Sequence, residues 1–132
     1  FGEEALRYDL RENVNGNELA KTPDFTADIS ITYETELSSG NSLTSVFQFV
    51  KRGEFMQRVN NNPSVDKVPA YQIFNMSVGL DFKNDLSLDF ILLNVGDEDG
   101  LNSAMTDVFG VAATGLEYIP PRQFMTRISY NF

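Results

Sequence analysis

The sequence predicts an all-β fold, an antiparallel up-and-down meander of about five to six long strands, from two observations. Apolar residues recur at period 2 in five separate stretches, while helical spacing is hard to find. The links between the stretches run short, long, short, long, so both short turns fall at one end of the meander and both long loops at the other.

The first strand covers about Asp24 to Glu36. Phe25, Ala27, Ile29, Ile31 and Tyr33 alternate with Thr26, Asp28, Ser30, Thr32 and Glu34. After the short link Leu37 to Gly40, the second strand covers about Asn41 to Met56. Leu43, Phe47, Phe49 and Phe55 form its preferred apolar face, which also carries Lys51, a side chain that must snorkel to a polar boundary. The alternative parity holds Val46 and Val50 with Gln48 and Arg52. The link Gln57 to Pro69 contains Asn60-Asn61-Asn62-Pro63, a loop signal. In the third strand, about Ala70 to Phe82, Phe74, Met76, Val78, Leu80 and Phe82 alternate with Asn75, Ser77, Gly79 and Asp81. Lys83-Asn84-Asp85 is a tight polar turn into the fourth strand, about Leu86 to Asn94. There Leu86, Leu88, Phe90 and Leu92 share a face, opposite Ser87, Asp89, Ile91 and Leu93. Pairing Leu80 with Leu88 and Val78 with Phe90 keeps all apolar residues on one side, because directly opposed residues share a face. That less polar second face of the fourth strand suits contact with something packed against it. The link Val95 to Arg122 holds four glycines and Pro120-Pro121. The fifth strand covers about Gln123 to Phe132, with Phe124, Thr126, Ile128, Tyr130 and Phe132 on one face. Glu3 to Arg11 alternates weakly and reads as the end of an earlier strand.

Composition excludes several functions. Ten Lys and Arg against 19 Asp and Glu leave a net charge of −9, which argues against nucleic-acid binding. The absence of Cys and His excludes disulfides, Cys or His nucleophile systems and most transition-metal sites. Asp97-Glu98-Asp99-Gly100 is the densest acidic run, but it lacks the spaced ligands and closing Glu of a calcium loop. The expectation is no metal and no cofactor. Asp81 and Asp89 are diagonal neighbours in the proposed hairpin, with no aromatic subsite beside them, so a glycosidase pair is not expected and the chain is read as no enzyme.

Alternation leaves two solvents open for the apolar face: the core of a soluble sandwich or the lipid around a barrel. Strands of about 9–13 residues, the loop asymmetry and aromatics near strand ends (Tyr33, Phe55, Phe74, Phe82, Phe124, Tyr130 and Phe132) favour lipid. The meander then reads as a section of a transmembrane β-barrel. On that reading the lipid-facing set is Phe25, Ile29, Ile31, Tyr33, Phe74, Met76, Val78, Leu80, Phe82, Leu86, Leu88, Phe90, Leu92 and Phe124. The lumen-facing set is Asp28, Ser30, Thr32, Glu34, Asn75, Ser77, Asp81, Asp89 and Arg127. Gln57, Arg58, Asn60, Asn61, Asn62, Met105 and Phe109 are the candidate ligand-contacting residues of the two long loops. Because single-chain barrels need about 8 strands or more, the chain is expected to be a fragment. The start at Phe1 and the lack of a signal peptide fit that expectation.

From about Asn15 to Phe132 the chain resembles the C-terminal end of a TonB-dependent outer-membrane receptor. Gly16-Asn17-Glu18-Leu19-Ala20-Lys21-Thr22-Pro23 resembles the loop that ends in Pro before a strand finishing on Tyr, here Tyr33. Leu92-Leu93-Asn94-Val95-Gly96-Asp97 resembles the penultimate-strand motif, and Tyr118-Ile119-Pro120-Pro121-Arg122-Gln123-Phe124 the approach to the last strand. The ending Ile128-Ser129-Tyr130-Asn131-Phe132 resembles the sorting signal of outer-membrane barrels, so Ile128, Tyr130 and Phe132 are implied contacts for the barrel-assembly machinery. The resemblance implies a plugged barrel of about 22 strands in the bacterial outer membrane. It also implies uptake of a scarce ligand such as a ferric siderophore, a vitamin or a glycan, powered through TonB by way of an N-terminal region. It orients Phe132 and both short turns toward the periplasm and both long loops outward. A soluble lectin-like domain and a passive porin are the alternatives.

Overall fold

The computed structural model of the chain describes residues 13–106 and 113–132. Among them there is no helix. The strands are β1 (Thr26–Glu36), β2 (Ser42–Arg52), β3 (Phe55–Met56), β4 (Lys67–Val68), β5 (Tyr71–Asp81), β6 (Leu86–Leu93), β7 (Leu101–Thr106), β8 (Thr114–Tyr118) and β9 (Gln123–Tyr130). Five of them form one antiparallel sheet in the order β1-β2-β5-β6-β9. These are the five long strands of the expected meander. The weakly alternating stretch Glu3 to Arg11 lies outside the described residues.

Register follows from the apolar pattern. Leu80 pairs with Leu88 and Val78 with Phe90, while Phe82 N–H donates to Leu86 C=O at 2.8 Å to close the turn. The Phe face of β2 is its apolar face. Phe47 sits between Ile31 and Met76, and Phe49 between Ile29 and Phe74, whose ring centroid is 4.8 Å away. The opposite register would turn Gln48 and Arg52 into that row of rings, and a one-residue slip moves every side chain to the other face. Across β6 and β9 the face continues through Leu92–Phe124 and Leu88–Ile128.

Four short strands lie outside the main sheet: β3 is the end of the expected second strand, broken off after Arg52, and β4, β7 and β8 lie in the two long links, where periodicity does not reveal them. β3 and β4 form one short ladder, and β7 and β8 form a hairpin with a register shift between Leu101 and Ser103. These segments are too short, or too bulged, to show an alternating signature. They meet in a small core of Phe55, Val68 and Ala104, with Leu101 packed against it. Phe55 therefore does not continue the Phe face of β2 or serve in an aromatic girdle. The strand stops at Arg52, Gly53 N–H donates to Phe25 C=O at 2.6 Å, and the chain turns so that Phe55 is 2% exposed. Arg52 covers its ring at 4.3 Å from the centroid, a cation–π contact, and donates to Asn102 C=O and Oδ1 at 3.3 and 3.1 Å.

At the other end the turns are tight. Gly40 N–H donates to Leu37 C=O at 2.7 Å with φ at +76°, and the Lys83 side chain lies where a Cβ at position 40 would be. Asn131 N–H donates to Asp85 C=O at 3.0 Å, tying the end of the chain to the β5–β6 turn.

Candidate functional site

The broad apolar face of the sheet is the first candidate surface, and nothing in the described chain covers it. Ile29, Ile31, Tyr33, Phe47, Phe74, Phe90, Phe124, Ile128 and Tyr130 are exposed on it. Phe124 and Ile128 keep 69% and 68% of their area open. Met76, Val78, Leu80, Leu88 and Leu92 are half-buried, shielded only by neighbours on the same face. Phe82 and Leu86 flank the turn, and Phe25 lies just ahead of β1. The buried hydrophobic residues of the described structure are Phe55, Val68 and Ala104, all at the loop end. From the row of Phe74 to that of Phe82 the band runs ~26 Å along the strand, at about 3.3 Å per residue. A barrel tilt of ~40° would make it ~20 Å tall, close to the ~25 Å apolar band of outer-membrane barrels.

The opposite face is polar, interrupted by apolar side chains, among them the pair Val50–Ile73 beside Asp28. Asp28, Ser30, Thr32 and Glu34 of β1 lie on it, with Asn75, Ser77 and Asp81 of β5, Asp89 of β6 and Arg127 of β9. A hydrogen-bond chain crosses the strands. Gln48 Nε2 donates to both Asp28 carboxylate oxygens at 3.1 and 3.0 Å. Asn75 Nδ2 donates to Gln48 Oε1 at 3.0 Å, and Asn94 N–H to Asn75 Oδ1 at 2.9 Å. Each middle side chain is an amide because the position needs a donor on one side and an acceptor on the other. Asp89 faces Arg127 across the ladder, but its carboxylate leans over Gly79, where a Cβ would stand 2.9 Å from Oδ1. Between these features Val46, Ile91, Leu93 and Met125 give the face an apolar stripe. Val46, Ile91 and Leu93 line a shallow hollow of about 150 Å³ together with Gln48, Asn75 and Ser77.

Asn94 is the pivot of the loop end. It is 4% exposed and holds φ at +49°, a conformation Asn tolerates better than most residues. Its Nδ2 donates to Glu98 C=O at 3.0 Å and to Pro120 C=O at 3.1 Å, and its Oδ1 accepts from Glu98 N–H at 2.9 Å. Beside it Arg122 N–H donates to Asp97 Oδ1 at 2.8 Å, and the Arg122 guanidinium reaches Val95 C=O at 3.3 Å. Segments 92–97 and 118–124, far apart in sequence, are thus two halves of one clamp at the base of the β7–β8 hairpin. Asp97 is engaged by Arg122, and among the described residues no group of three or more acidic, His or Cys side chains is arranged to hold a metal.

The Asn-rich loop is self-structured. Asp66, fully buried, accepts from Arg58 Nε at 2.5 Å and from Asn62 N–H at 2.9 Å. Asn62 Oδ1 accepts from Ser64 N–H at 3.1 Å, and Asn61 sits at φ +51°. Arg58 is thereby part of the loop's own scaffold. Gln57 is 8% exposed, and among the described residues its Oε1 has no hydrogen-bond partner. Asn60 and Met105 are exposed, and Phe109 lies outside the described residues. At the C-terminus Ile128 and Tyr130 are on β9, while Phe132 lies beyond it, fully exposed and 6.3 Å from the Tyr130 ring centroid. Arg52, Asp66 and Gln48 were missed as organising residues. Their partners come from other strands or from an aperiodic loop, so no local pattern marks them.

Comparison with known proteins finds no matching family model, no matching curated protein and no matching solved structure.

Proposed function

We propose that this chain is a stretch of the wall of a plugged outer-membrane transporter of the TonB-dependent kind. Such a transporter takes up a scarce ligand such as a ferric siderophore, a vitamin or a glycan. The observation that carries the reading is the apolar face of five long strands, uncovered by any described residue, beside a hydrophobic core of three described residues at the loop end. In water so broad an apolar surface marks an interaction site or an aggregation liability. Lipid is the solvent for which it is suited, with outer-membrane lipid as its partner and no covalent chemistry required. The inner stripe of Val46, Ile91, Leu93 and Met125 supports a lumen occupied by packed protein over the open aqueous lumen of a porin. Ile128, Tyr130 and Phe132 then serve the barrel-assembly machinery, and TonB engages through a region outside this chain.

The test is a pair of substitutions in the complete barrel-forming protein reconstituted in vesicles, because an open section of wall with unpaired edges cannot span a bilayer by itself. Phe90→Arg puts a charge in the middle row of the apolar band and is expected to cost about 2–4 kcal/mol in a urea titration, or to block insertion. Thr32→Arg, on the polar face, is expected to stay below about 1 kcal/mol. A chain that folds as a detergent-free monomer and tolerates Phe90→Arg would overturn the reading in favour of a soluble binding domain.

A further inference from the structure

Apart from Phe25, one row further out just ahead of β1, the apolar face ends on its loop side at a single cation. Ala27, Lys51 and Gln72 form the row immediately beyond Ile29, Phe49 and Phe74. Arg52 and Arg127 face the other way, which leaves Lys51 as the cation of this face among the described strands of the main sheet. It is exposed, and no described residue pairs with its ammonium. Beside it lies a recess of about 170 Å³ lined by Lys51, Ala70, Tyr71, Gln72 and Glu98.

An ammonium held against hydrocarbon is costly, and the cost falls where the side chain reaches the headgroup layer. Lys51 stands one row past the band, in reach of that layer. The chain as a whole repels anions at −9, so attraction at this point has to be local. Gln72 adds an amide donor next to the ammonium, and the Glu98 carboxylate, which also lines the recess, favours a group that carries donors of its own beside the phosphate. We propose that Lys51 and Gln72 bind the phosphate of a lipid headgroup at the loop-side boundary of the bilayer, with its hydroxyl-bearing part turned toward Glu98. This rests on the barrel-wall reading above.

The experiment holds the complete barrel-forming protein in dodecyl maltoside micelles, which carry no phosphate. It measures retention of phosphatidylglycerol by native mass spectrometry, against diacylglycerol and inorganic phosphate. Lys51→Ala is expected to weaken phosphatidylglycerol retention about fivefold, the effect of one basic residue near an anionic lipid surface, and Lys51→Arg to preserve it. Lys67→Ala, which removes a surface lysine paired with Glu54 at 2.9 Å, is expected to change nothing. Unchanged retention in Lys51→Ala, an equal loss in Lys67→Ala, or equal retention of diacylglycerol overturns the proposal. Displacement by inorganic phosphate alone makes it a soluble-anion site and overturns it too. If the wild-type protein retains no lipid of either kind, the barrel-wall reading fails together with it, an outcome separate from loss of headgroup preference.

Discussion

Replacing Asn94 with Ala should release the base of the β7–β8 hairpin while leaving the five-stranded sheet folded. The side chain makes three hydrogen bonds, two as donor to Glu98 and Pro120 carbonyls and one as acceptor from Glu98 N–H. At about 1 kcal/mol net each they contribute about 3 kcal/mol. Holding Ala at φ +49° costs about 1 kcal/mol more. Glu98 is exposed, so water takes up part of what its backbone loses, and the expected net cost is about 2–3 kcal/mol. A loss near the top of that range speeds local opening about 100-fold, since each 1.4 kcal/mol is tenfold. Amide hydrogen exchange reads this directly at Glu98 N–H and at Ile119 N–H, which donates to Gly100 C=O at 2.9 Å inside the clamped segment. Amides of β2 and β5, whose ladders do not involve Asn94, should be unchanged. Asn94→Asp keeps the acceptor and the backbone tolerance but sets a carboxylate oxygen against the Glu98 and Pro120 carbonyls that Nδ2 served, and should open the clamp at least as far as Ala. Exchange at Glu98 and Ile119 within threefold of wild type would refute the clamp.

Two further predictions concern the loop end. Asp66→Ala removes the buried partner of Arg58 and of Asn62 N–H. Because Arg58 keeps part of its surface in water, the expected cost is about 2–3 kcal/mol, below that of a fully buried pair. Limited proteolysis between residues 57 and 69 should accelerate strongly, and an unchanged cleavage rate would count against this scaffold. Gly100→Ala would bring a Cβ to 2.8 Å from Tyr71 Cγ and 2.9 Å from Ile119 Cδ1, and overpacking of this kind costs about 1–3 kcal/mol. Faster exchange at Ile119 with no change at Gly79 checks it, and wild-type exchange would show that the Tyr71 ring gives way freely.

What the sequence determined by itself is the main sheet. Alternation from Ile29 through Ile128, together with turns at Leu37 to Gly40 and Lys83 to Asp85, implies five strands, their order and the β5–β6 register. Period 2 is a local property, and a strand with one polar and one apolar face displays it in its own residues. Only the tertiary structure decided which parity of β2 is apolar, because Phe47 and Val46 are both hydrophobic and the choice depends on Ile31 and Met76 alongside. It also decided the fate of the long links. Phe55 reads as a continuation of the Phe face of the second strand, yet it is buried against Val68 and Ala104, which the chain supplies 13 and 49 positions later. Asn94 shows both sides of that divide. Its place in the motif 92–97 is visible in the sequence. Its purpose is not, because its partners Asn75 and Pro120 come to it only when β5, β6 and the approach to β9 are assembled.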